Sequence, residues 1–298
     1  MKLVGLSLVF LCTFGGLFIA MQFDYSGFSK LMFLILGAMP GEMVIIGGCA
    51  VAAFLVANSR ETIKGTISYL SAHTKPSAHS KEDYVELMGT LFVVFKLVRT
   101  KGWLALEQHI EQPDRSDLFA QFPSLAANSH AIVFLCDYLR IISMGNENPH
   151  ELEALMDEEI ETIEHHETHP GHAMQTMADG IPALGIVAAV LGVIKTMTSI
   201  NEPPEVLGKL IGAALVGTFL GVWLAYTMVG PVAGAMRVKA ESKVMYYKSM
   251  KVGIIAFLNG ASPHVAVEFS RKLLPHDLQP SFQELEEHLS DLPALAAA

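Results

Sequence analysis

Charged residues are scarce in this chain. Only 17% of its 298 residues are Asp, Glu, Lys or Arg, whereas 51% are hydrophobic, and the mean hydropathy is +0.40. An ordinary soluble domain carries about 25% charged residues, so the composition favours a membrane protein. The net charge of -10 and the lack of a basic stripe exclude nucleic acid as an expected partner.

Cysteine is scarcer still, and the usual catalytic motifs do not occur. Cys12, Cys49 and Cys136 have neither CxxC nor metal-type spacing, which excludes a disulfide framework and indicates a reducing compartment. The sequence has no Gly-rich phosphate loop, nucleophile elbow or zincin motif. We therefore expect a protein that is not an enzyme and has no cofactor and no metal.

Four apolar stretches are long enough to cross a bilayer, which takes about 20 residues. They span residues 3–23, 31–58, 180–200 and 210–236. The first follows a single basic residue, Lys2, and lacks a small-x-small cleavage pattern, so we interpret it as a helix rather than a signal peptide. The sequence predicts an all-α membrane protein with four transmembrane helices plus a cytoplasmic helical domain.

The predicted domains follow from these stretches. Residues 1–58 hold transmembrane helices 1 and 2, residues 59–176 a cytoplasmic helical domain, residues 177–236 transmembrane helices 3 and 4, and residues 237–298 a C-terminal cytoplasmic helical tail. Basic residues favour the ends assigned to the cytoplasm, which places both termini inside. These are Lys2, Arg60, Lys64, Arg237, Lys239 and Lys243, against Lys30, Lys195 and Lys209 at the outer ends.

Helical periodicity marks the cytoplasmic segments. Apolar residues recur at three- and four-residue steps in 84–98, 132–143 and 151–164, which predicts amphipathic helices. Ser281 and Glu284 have the spacing of a capping box that opens a helix over 283–289. The loop between the second and third spans and the tail are thus predicted to form one helical domain.

Each of the last two apolar stretches carries a proline, Pro182 or Pro231. Proline frees a backbone carbonyl, which suits a helix lining a polar path. Because the two spans run antiparallel, we expect both prolines at a similar depth near the cytoplasmic side. Residues 210–236 contain no Asp, Glu, His, Lys or Arg, so another chain would supply an ion-binding carboxylate. A packing kink is the alternative for either proline alone.

Glu42 is the only carboxylate inside a predicted span. It follows Pro40-Gly41 near the predicted outer face, where it is either a functional acid or simply hydrated. Glycines with GxxxG spacing, Gly208/Gly212 and Gly217/Gly221, let helices approach closely. They indicate either packing within the bundle or between copies, or a smooth face for a moving partner helix.

Five segments carry a resemblance to a known family. They are EMVIIGG at 42–48, LMDEEIE at 155–161, PALGIVAAVLGV at 182–193, VGTFLG at 216–221 and VEFSRK at 267–272. In order and spacing, over nearly the whole chain, they resemble MotA, the larger stator subunit of the bacterial flagellar motor.

The resemblance implies an ion-driven torque generator in the bacterial inner membrane. Five copies of this chain would form a homopentamer, in contact with membrane lipid, around the transmembrane helices of two MotB subunits whose aspartate carries the ion. Pro182 and Pro231 would couple ion flow to conformational change. Arg99 and Glu107 would contact the rotor protein FliG, although without the resemblance both would be interpreted as a solvated face.

Ala189 determines the predicted coupling ion. Sodium-driven relatives carry threonine at this position, an oxygen ligand of the kind that a hard cation needs, and alanine offers none. We therefore predict protons, with Thr218 as a polar residue on the path. A sodium-driven stator of the same family and an ExbB- or TolQ-type energiser of outer-membrane transport are the alternatives, and four spans argue against the second.

A histidine cluster departs from the family pattern. His165 and His169 stand four residues apart, which on a helix is metal-ligand spacing, but we expect Pro170 to break that helix before His172. We interpret these histidines as surface residues, with a metal or pH-sensing site as the alternative. A metalloenzyme or metal transporter centred on them is the alternative from another class, and a purely structural scaffold is a third.

Overall fold

The computed structural model describes residues 2–71 and 79–292, and these residues form helices and turns without a strand. The all-α prediction is confirmed. Two compact units divide the chain: the apolar unit takes residues 2–71 and 168–237, and the polar unit takes residues 79–167 and 238–292. Residues 59–71 and 168–176, predicted as cytoplasmic, thus belong to the apolar unit. A contact of 3.2 Å between Thr62 Oγ1 and His169 Nδ1 joins these two segments.

The apolar unit contains long helices with irregular turns. Its helices are α1 (Lys2–Phe10), α2 (Gly16–Ala20), α3 (Tyr25–Ala57), α4 (Arg60–Ser71), the second half of α9 (Pro149–Met197), α10 (Pro204–Leu224) and the start of α11 (Gly230–Leu258). Single π-helical turns at Leu11–Gly15 and Ala225–Val229 join α1 to α2 and α10 to α11.

Three helices in the described part of the chain are long and apolar enough to cross a membrane. They are Tyr25–Ala57, Pro149–Met197 and the continuous Pro204–Leu258. The first predicted span appears as a shorter apolar helix, Val4–Ala20. The count of four spans therefore stays a prediction.

α3 begins earlier than the sequence predicted. The Asp24 side chain accepts a hydrogen bond of 3.0 Å from the Ser26 backbone N–H and caps the helix start. This cap satisfies one of the free N–H groups of the first turn. The helix therefore begins six residues before the predicted apolar stretch at residue 31.

Pro170 lies inside α9, which continues unbroken to Met197. The prediction that Pro170 breaks this helix is wrong. A proline removes one helical hydrogen bond, and packing on both sides offsets that loss: a Cβ added at Gly65 would lie 3.1 Å from Pro170 Cγ, and one at Gly171 would lie 3.3 Å from the Arg237 backbone nitrogen.

The polar unit packs large side chains around α5 (Lys81–Lys101). Its other helices are α6 (Glu107–Glu111), α7 (Pro123–Ala126), α8 (Ser129–Ser143), α12 (Pro263–Leu273), α13 (Phe282–Asp291), the first part of α9 and the end of α11. Leu87, Leu91 and Phe95 lie on one face of α5 and are fully buried. Phe95 stacks on Phe257 with ring centroids 4.5 Å apart. Helices over all three predicted segments are confirmed. The prediction that the first is amphipathic is wrong, because every residue of α5 from Leu87 to Phe95 is buried and the helix is enclosed by its neighbours.

The tail is held by charged contacts. The capping box at Ser281 and Glu284 is confirmed, and Lys81 Nζ lies 2.7 Å from a Glu284 carboxylate oxygen. Arg271, which is 5% exposed, forms an ion pair with Glu268 and donates a hydrogen bond of 2.8 Å to the Pro280 carbonyl. This arginine lowers the pKa of Glu268, so the pair stays ionised where the tail packs.

Candidate functional site

Glycines bring the backbones of α9 and α10 into direct contact. A Cβ added at Gly221 would lie 2.8 Å from Gly185 Cα and 3.1 Å from the Ile181 carbonyl oxygen, and one at Gly185 would lie 2.9 Å from the Gly217 carbonyl oxygen. Such distances exclude any side chain at these positions. The Gly217/Gly221 pair therefore packs within this chain, whereas a Cβ at Gly208 would meet nothing within 4 Å.

Glu42 reaches this contact from α3. A Cβ added at Gly217 would lie 2.6 Å from Glu42 Oε2, 3.2 Å from Ala188 Cβ and 3.2 Å from the Ala189 backbone nitrogen. Glu42 Oε2 is buried and has no hydrogen-bond partner among the described residues. Two of the predicted path residues, Glu42 and Ala189, thus meet at Gly217, next to Thr218.

Glu42 lies in the middle of α3, not near its end. It stands 17 residues from Tyr25 and 15 from Ala57, which is about 25 Å and about 22 Å along the helix at 1.5 Å per residue. Its level relative to the outer face therefore stays a prediction. Within the apolar unit, its Oε2 is buried where α9 meets α10.

Thr218 differs from the other threonines of these helices. The Thr196 hydroxyl donates a hydrogen bond of 2.9 Å to the Gly192 carbonyl, and the Thr227 hydroxyl donates one of 2.5 Å to the Trp223 carbonyl. Both hydroxyls are thus hydrogen-bonded to their own helices. The half-buried Thr218 has no such bond in the described structure. Its hydroxyl can therefore bond to another group.

The two prolines lie at different levels of the helix pair. Gly185 packs at Gly217 and Gly221, whereas Gly171 packs at Ala233 and Arg237. Counting along the antiparallel helices places Pro182 opposite residues 223–224 and Pro231 opposite residues 173–175, about 12 Å apart at 1.5 Å per residue. The expectation of a similar depth is wrong.

A π-helical turn fills the interval between the two proline levels. It spans Ala225–Val229, and the N–H of Gly230 at its end donates to the Ala225 carbonyl. π turns occur at functional positions in helices. This turn was not predicted from the sequence, although Gly230-Pro231 was a local signal because proline cannot continue the hydrogen-bond ladder.

A second contact that was not predicted from the sequence joins the π turn after α1 to α10. Trp223 Nε1 donates 3.1 Å to Thr13 Oγ1, which lies in the first π turn. The Trp223 ring packs edge-on against Phe10, with centroids 4.9 Å apart. This aromatic contact lies at the level of Pro182.

The predicted rotor residues lie in the polar unit, on its surface. Arg99 is in the last turn of α5 and Glu107 is the first residue of α6, and both are exposed. The chain turns between them at Gly102, whose φ is +82°, and the fully buried Leu106 fixes the turn. No ion pair occupies Arg99 or Glu107 in the described structure, so both charges face solvent.

The histidines lie on one continuous helix. His165, His169 and His172 all fall within α9. Across residues 2–71 and 79–292, no group of three or more His, Cys, Asp or Glu side chains is arranged to hold a metal ion.

Long apolar helices that meet through glycine and alanine define the class, a helical membrane protein. The MotA/TolQ/ExbB proton channel family model matches residues 127–249, and the model for the motility protein A N-terminal region matches residues 3–102. Motility protein A of Salmonella typhimurium is 42% identical over 85% of this chain and 87% of its own length. The chemotaxis protein LafT of Vibrio parahaemolyticus is 31% identical over 97% and 98%.

A solved structure agrees with these relatives. The flagellar MotAB stator complex from Bacillus subtilis matches with a TM-score of 0.66 at 25% identity, over 92% of this chain and 95% of that chain. The chain belongs to the motility protein A family. It is therefore a flagellar stator subunit of the proton channel family and an inner-membrane protein, in a family of channel subunits rather than enzymes.

Proposed function

We propose that this chain forms a proton-driven stator with a MotB-like partner and turns ion flow into torque on the rotor. The observation that supports it is the wall between α9 and α10. That wall is built from Gly185, Ala188, Gly217 and Gly221, and its one carboxylate is Glu42, contributed by α3. These four small residues are buried within this chain, where they hold α9 against α10. The partner helix would supply the ion-binding acid that residues 180–200 and 210–236 lack.

The proposed assembly follows the family resemblance. Five copies surround the partner helices, both termini are cytoplasmic, and the polar unit contacts the rotor protein FliG through Arg99 and Glu107. The MotAB complex of Bacillus subtilis supports a MotB-like partner. The match of residues 3–102 to the motility protein A model favours a stator over an ExbB- or TolQ-type energiser.

Reconstitution tests the two-chain channel. Liposomes that contain this chain and a MotB-like chain, with its plug removed if one is present, should conduct protons down an imposed pH gradient. Liposomes with either chain alone should not, and replacing the partner's membrane aspartate by asparagine should abolish the flux. Appreciable proton flux from this chain alone would contradict the proposal.

The coupling ion depends on the position of Ala189. Its backbone nitrogen lies beside Gly217, and a methyl side chain offers no oxygen to a sodium ion. Swimming speed at fixed pH should therefore be independent of external sodium. The Ala189→Thr variant adds the missing oxygen and so tests whether this position sets the coupling ion. Ala183→Thr, on the same helix, is the control. A wild-type speed that follows sodium would favour the sodium-driven alternative.

The coupling role of the prolines is testable against an internal control. Pro182→Ala and Pro231→Ala should leave assembly with the partner intact but strongly reduce swimming, because each restores a backbone N–H that can bond the carbonyl freed by the proline. Pro170→Ala, in the same helix α9 but outside its apolar part, should swim normally. Normal swimming of both test variants would favour the structural scaffold.

Reversal of charge tests the rotor contact. Arg99→Asp should reduce torque without changing the amount of assembled stator, whereas Arg115→Asp, another exposed arginine of the polar unit, should have little effect. Torque is measured from the rotation of tethered cells. Equal torque in both variants would remove Arg99 from the proposed contact.

The metal alternative has its own test. Replacing His165, His169 and His172 together by alanine should leave swimming intact. Loss of swimming at normal protein level would support a metal function.

A further inference from the structure

A furrow of about 1240 Å³ runs along the apolar unit between α3, α9 and α10. Three lysines line one end of it: Lys30 from α3, Lys195 from α9 and Lys209 from α10. All three are exposed, and none forms an ion pair with another described residue. One end of the furrow therefore presents three unneutralised positive charges.

The body of the furrow is apolar and has room. Its walls include Leu31, Phe33 and Leu191. Two glycines of α3, Gly37 and Gly41, also line it, and a Cβ added at either would meet no atom within 4 Å. The furrow is thus an apolar trough with a basic end.

The length of the trough matches one leaflet of a bilayer. From Lys30 to Gly41 is eleven residues of continuous helix, about 16 Å at 1.5 Å per residue. Half of a typical hydrocarbon core is about 15 Å. Glu42 ends this apolar part of the lining on α3, and Ile45 lines the furrow beyond it. The basic end then lies at headgroup level when the apolar part lies among acyl chains.

We propose that this furrow binds an anionic phospholipid, with its phosphate at Lys30, Lys195 and Lys209 and one acyl chain along the trough as far as Gly41. Three clustered ammonium groups attract an anionic headgroup and repel a cation, which disfavours the furrow as an ion entrance. A second protein chain seated there would bury three charges and would need acids to pair with them. Assignment of the site to the outer leaflet, and only that, rests on the proposed topology.

Native mass spectrometry of the full chain tests the headgroup contact. The delipidated protein is titrated with phosphatidylglycerol and with phosphatidylcholine of the same acyl chains. We expect phosphatidylglycerol to bind at least tenfold more tightly. Replacing Lys30, Lys195 and Lys209 together by glutamine should weaken it roughly 100-fold, since each lysine near an anionic lipid contributes about fivefold. The matched triple change of Lys96, Lys101 and Lys272, in the polar unit, should have no effect.

A second pair of variants tests the acyl-chain contact. Gly37→Leu places a side chain in the open trough and should reduce binding while the lysines remain. Gly47→Leu is the control: a Cβ there also meets no atom within 4 Å, but Gly47 does not line the furrow. If Gly37→Leu does not fold, the lysine variants still decide the proposal.

Four results would overturn the proposal, and the first three concern the lipids and variants: equal binding of the two lipids, equal effects of the two triple variants, or release of the lipid by inorganic phosphate with Gly37→Leu binding as the wild type does. The third result would indicate an anion site without an acyl chain. A wild-type chain that forms oligomers and takes up no lipid would also overturn it, because another copy would then cover the furrow. Lipid binding is measured without ion flux or rotation, so its failure is distinguishable from failure of the proposed stator function.

Discussion

The apolar and polar units are packed on different principles. The polar unit buries large side chains, among them Tyr84, Phe95, Tyr138 and Tyr246, each 2% exposed or less. The apolar unit brings backbones together at Gly185, Gly217 and Gly221 with no side chain between them. Ion pairs such as Lys243–Glu167 and Lys248–Glu164 also join α9 to α11 within the polar unit.

This difference indicates what each unit can do. Close-packed large side chains fix one arrangement, because any shift opens cavities. Contacts between glycines let the backbones of α9 and α10 approach closely, and backbone atoms rather than interlocking side chains make the contact. The polar unit has the interior of an ordinary folded domain.

The largest expected effect comes from emptying the polar core. Phe95→Ala removes a fully buried ring that stacks on Phe257 and should lower the free energy of unfolding by about 3–5 kcal/mol. Leu104→Ala, at an 80% exposed side chain, should change it by less than about 0.5 kcal/mol. Denaturation in detergent, followed by Trp103 emission in a Trp223→Phe background, measures both. If both variants changed the free energy of unfolding by similarly small amounts, the large buried side chains would not be what stabilises the polar unit.

Adding one methyl group to the apolar wall should have the next largest effect. Gly217→Ala would place a Cβ 2.6 Å from Glu42 Oε2 and 3.2 Å from the Ala189 backbone nitrogen. We expect a loss of about 1–3 kcal/mol from overpacking, with impaired swimming. Gly208→Ala, in open space on the same helix, should instead stabilise by about 0.4–1 kcal/mol.

A double variant sharpens this test. In a Glu42→Ala background the nearest obstacle is removed, so the cost of Gly217→Ala should fall but not vanish. An unchanged cost would mean that Glu42 does not approach Gly217 as described.

The smallest expected effect concerns the exposed ion pair at the tail. The Lys81 ammonium and the capping contacts with Ser281 lower the pKa of Glu284 to about 2. A carboxyl whose pKa is lowered by folding stabilises the folded state at pH values above its ordinary pKa near 4.5. This stabilisation is lost as the pH falls towards 2, and screening by solvent keeps it small. Lys81→Gln should raise the Glu284 pKa, measured by carboxyl 13C NMR, whereas Lys101→Gln should not. No change with Lys81→Gln would assign the shift to Ser281 alone.

The sequence predicted the helices of the polar unit well, because helices depend on local periodicity. The Ser281–Glu284 cap is visible in the sequence and present in the structure, but local periodicity did not show that α5 is buried on every face from Leu87 to Phe95. Helix ends were harder to predict. α3 begins at Tyr25 through the Asp24 cap, and hydropathy alone does not register a polar cap outside an apolar run.

The errors at the candidate site have one physical origin, contacts between distant segments. Pro170 remains in a helix because Gly65 and Arg237 pack beside it, and neither neighbour is visible from the local sequence. The offset between Pro182 and Pro231 likewise depends on how α9 aligns with α10 and α11. The residues of the candidate site could be predicted from the sequence, but their levels along the neighbouring helices could not.

The π turn at Ala225–Val229 sets the rotational phase of the helix that contains it. A regular α-helix rotates by about 100° per residue. Over the twelve steps from Gly221 to Ala233, the side-chain directions of these two residues would therefore differ by about 120°. A π turn takes up roughly one residue more than an α turn, which reduces the offset to about 20°. Gly221 and Ala233 therefore both face α9. Conversion of this turn to α-helix would rotate one half of the helix against the other by nearly a third of a turn, an angular step built into a single chain.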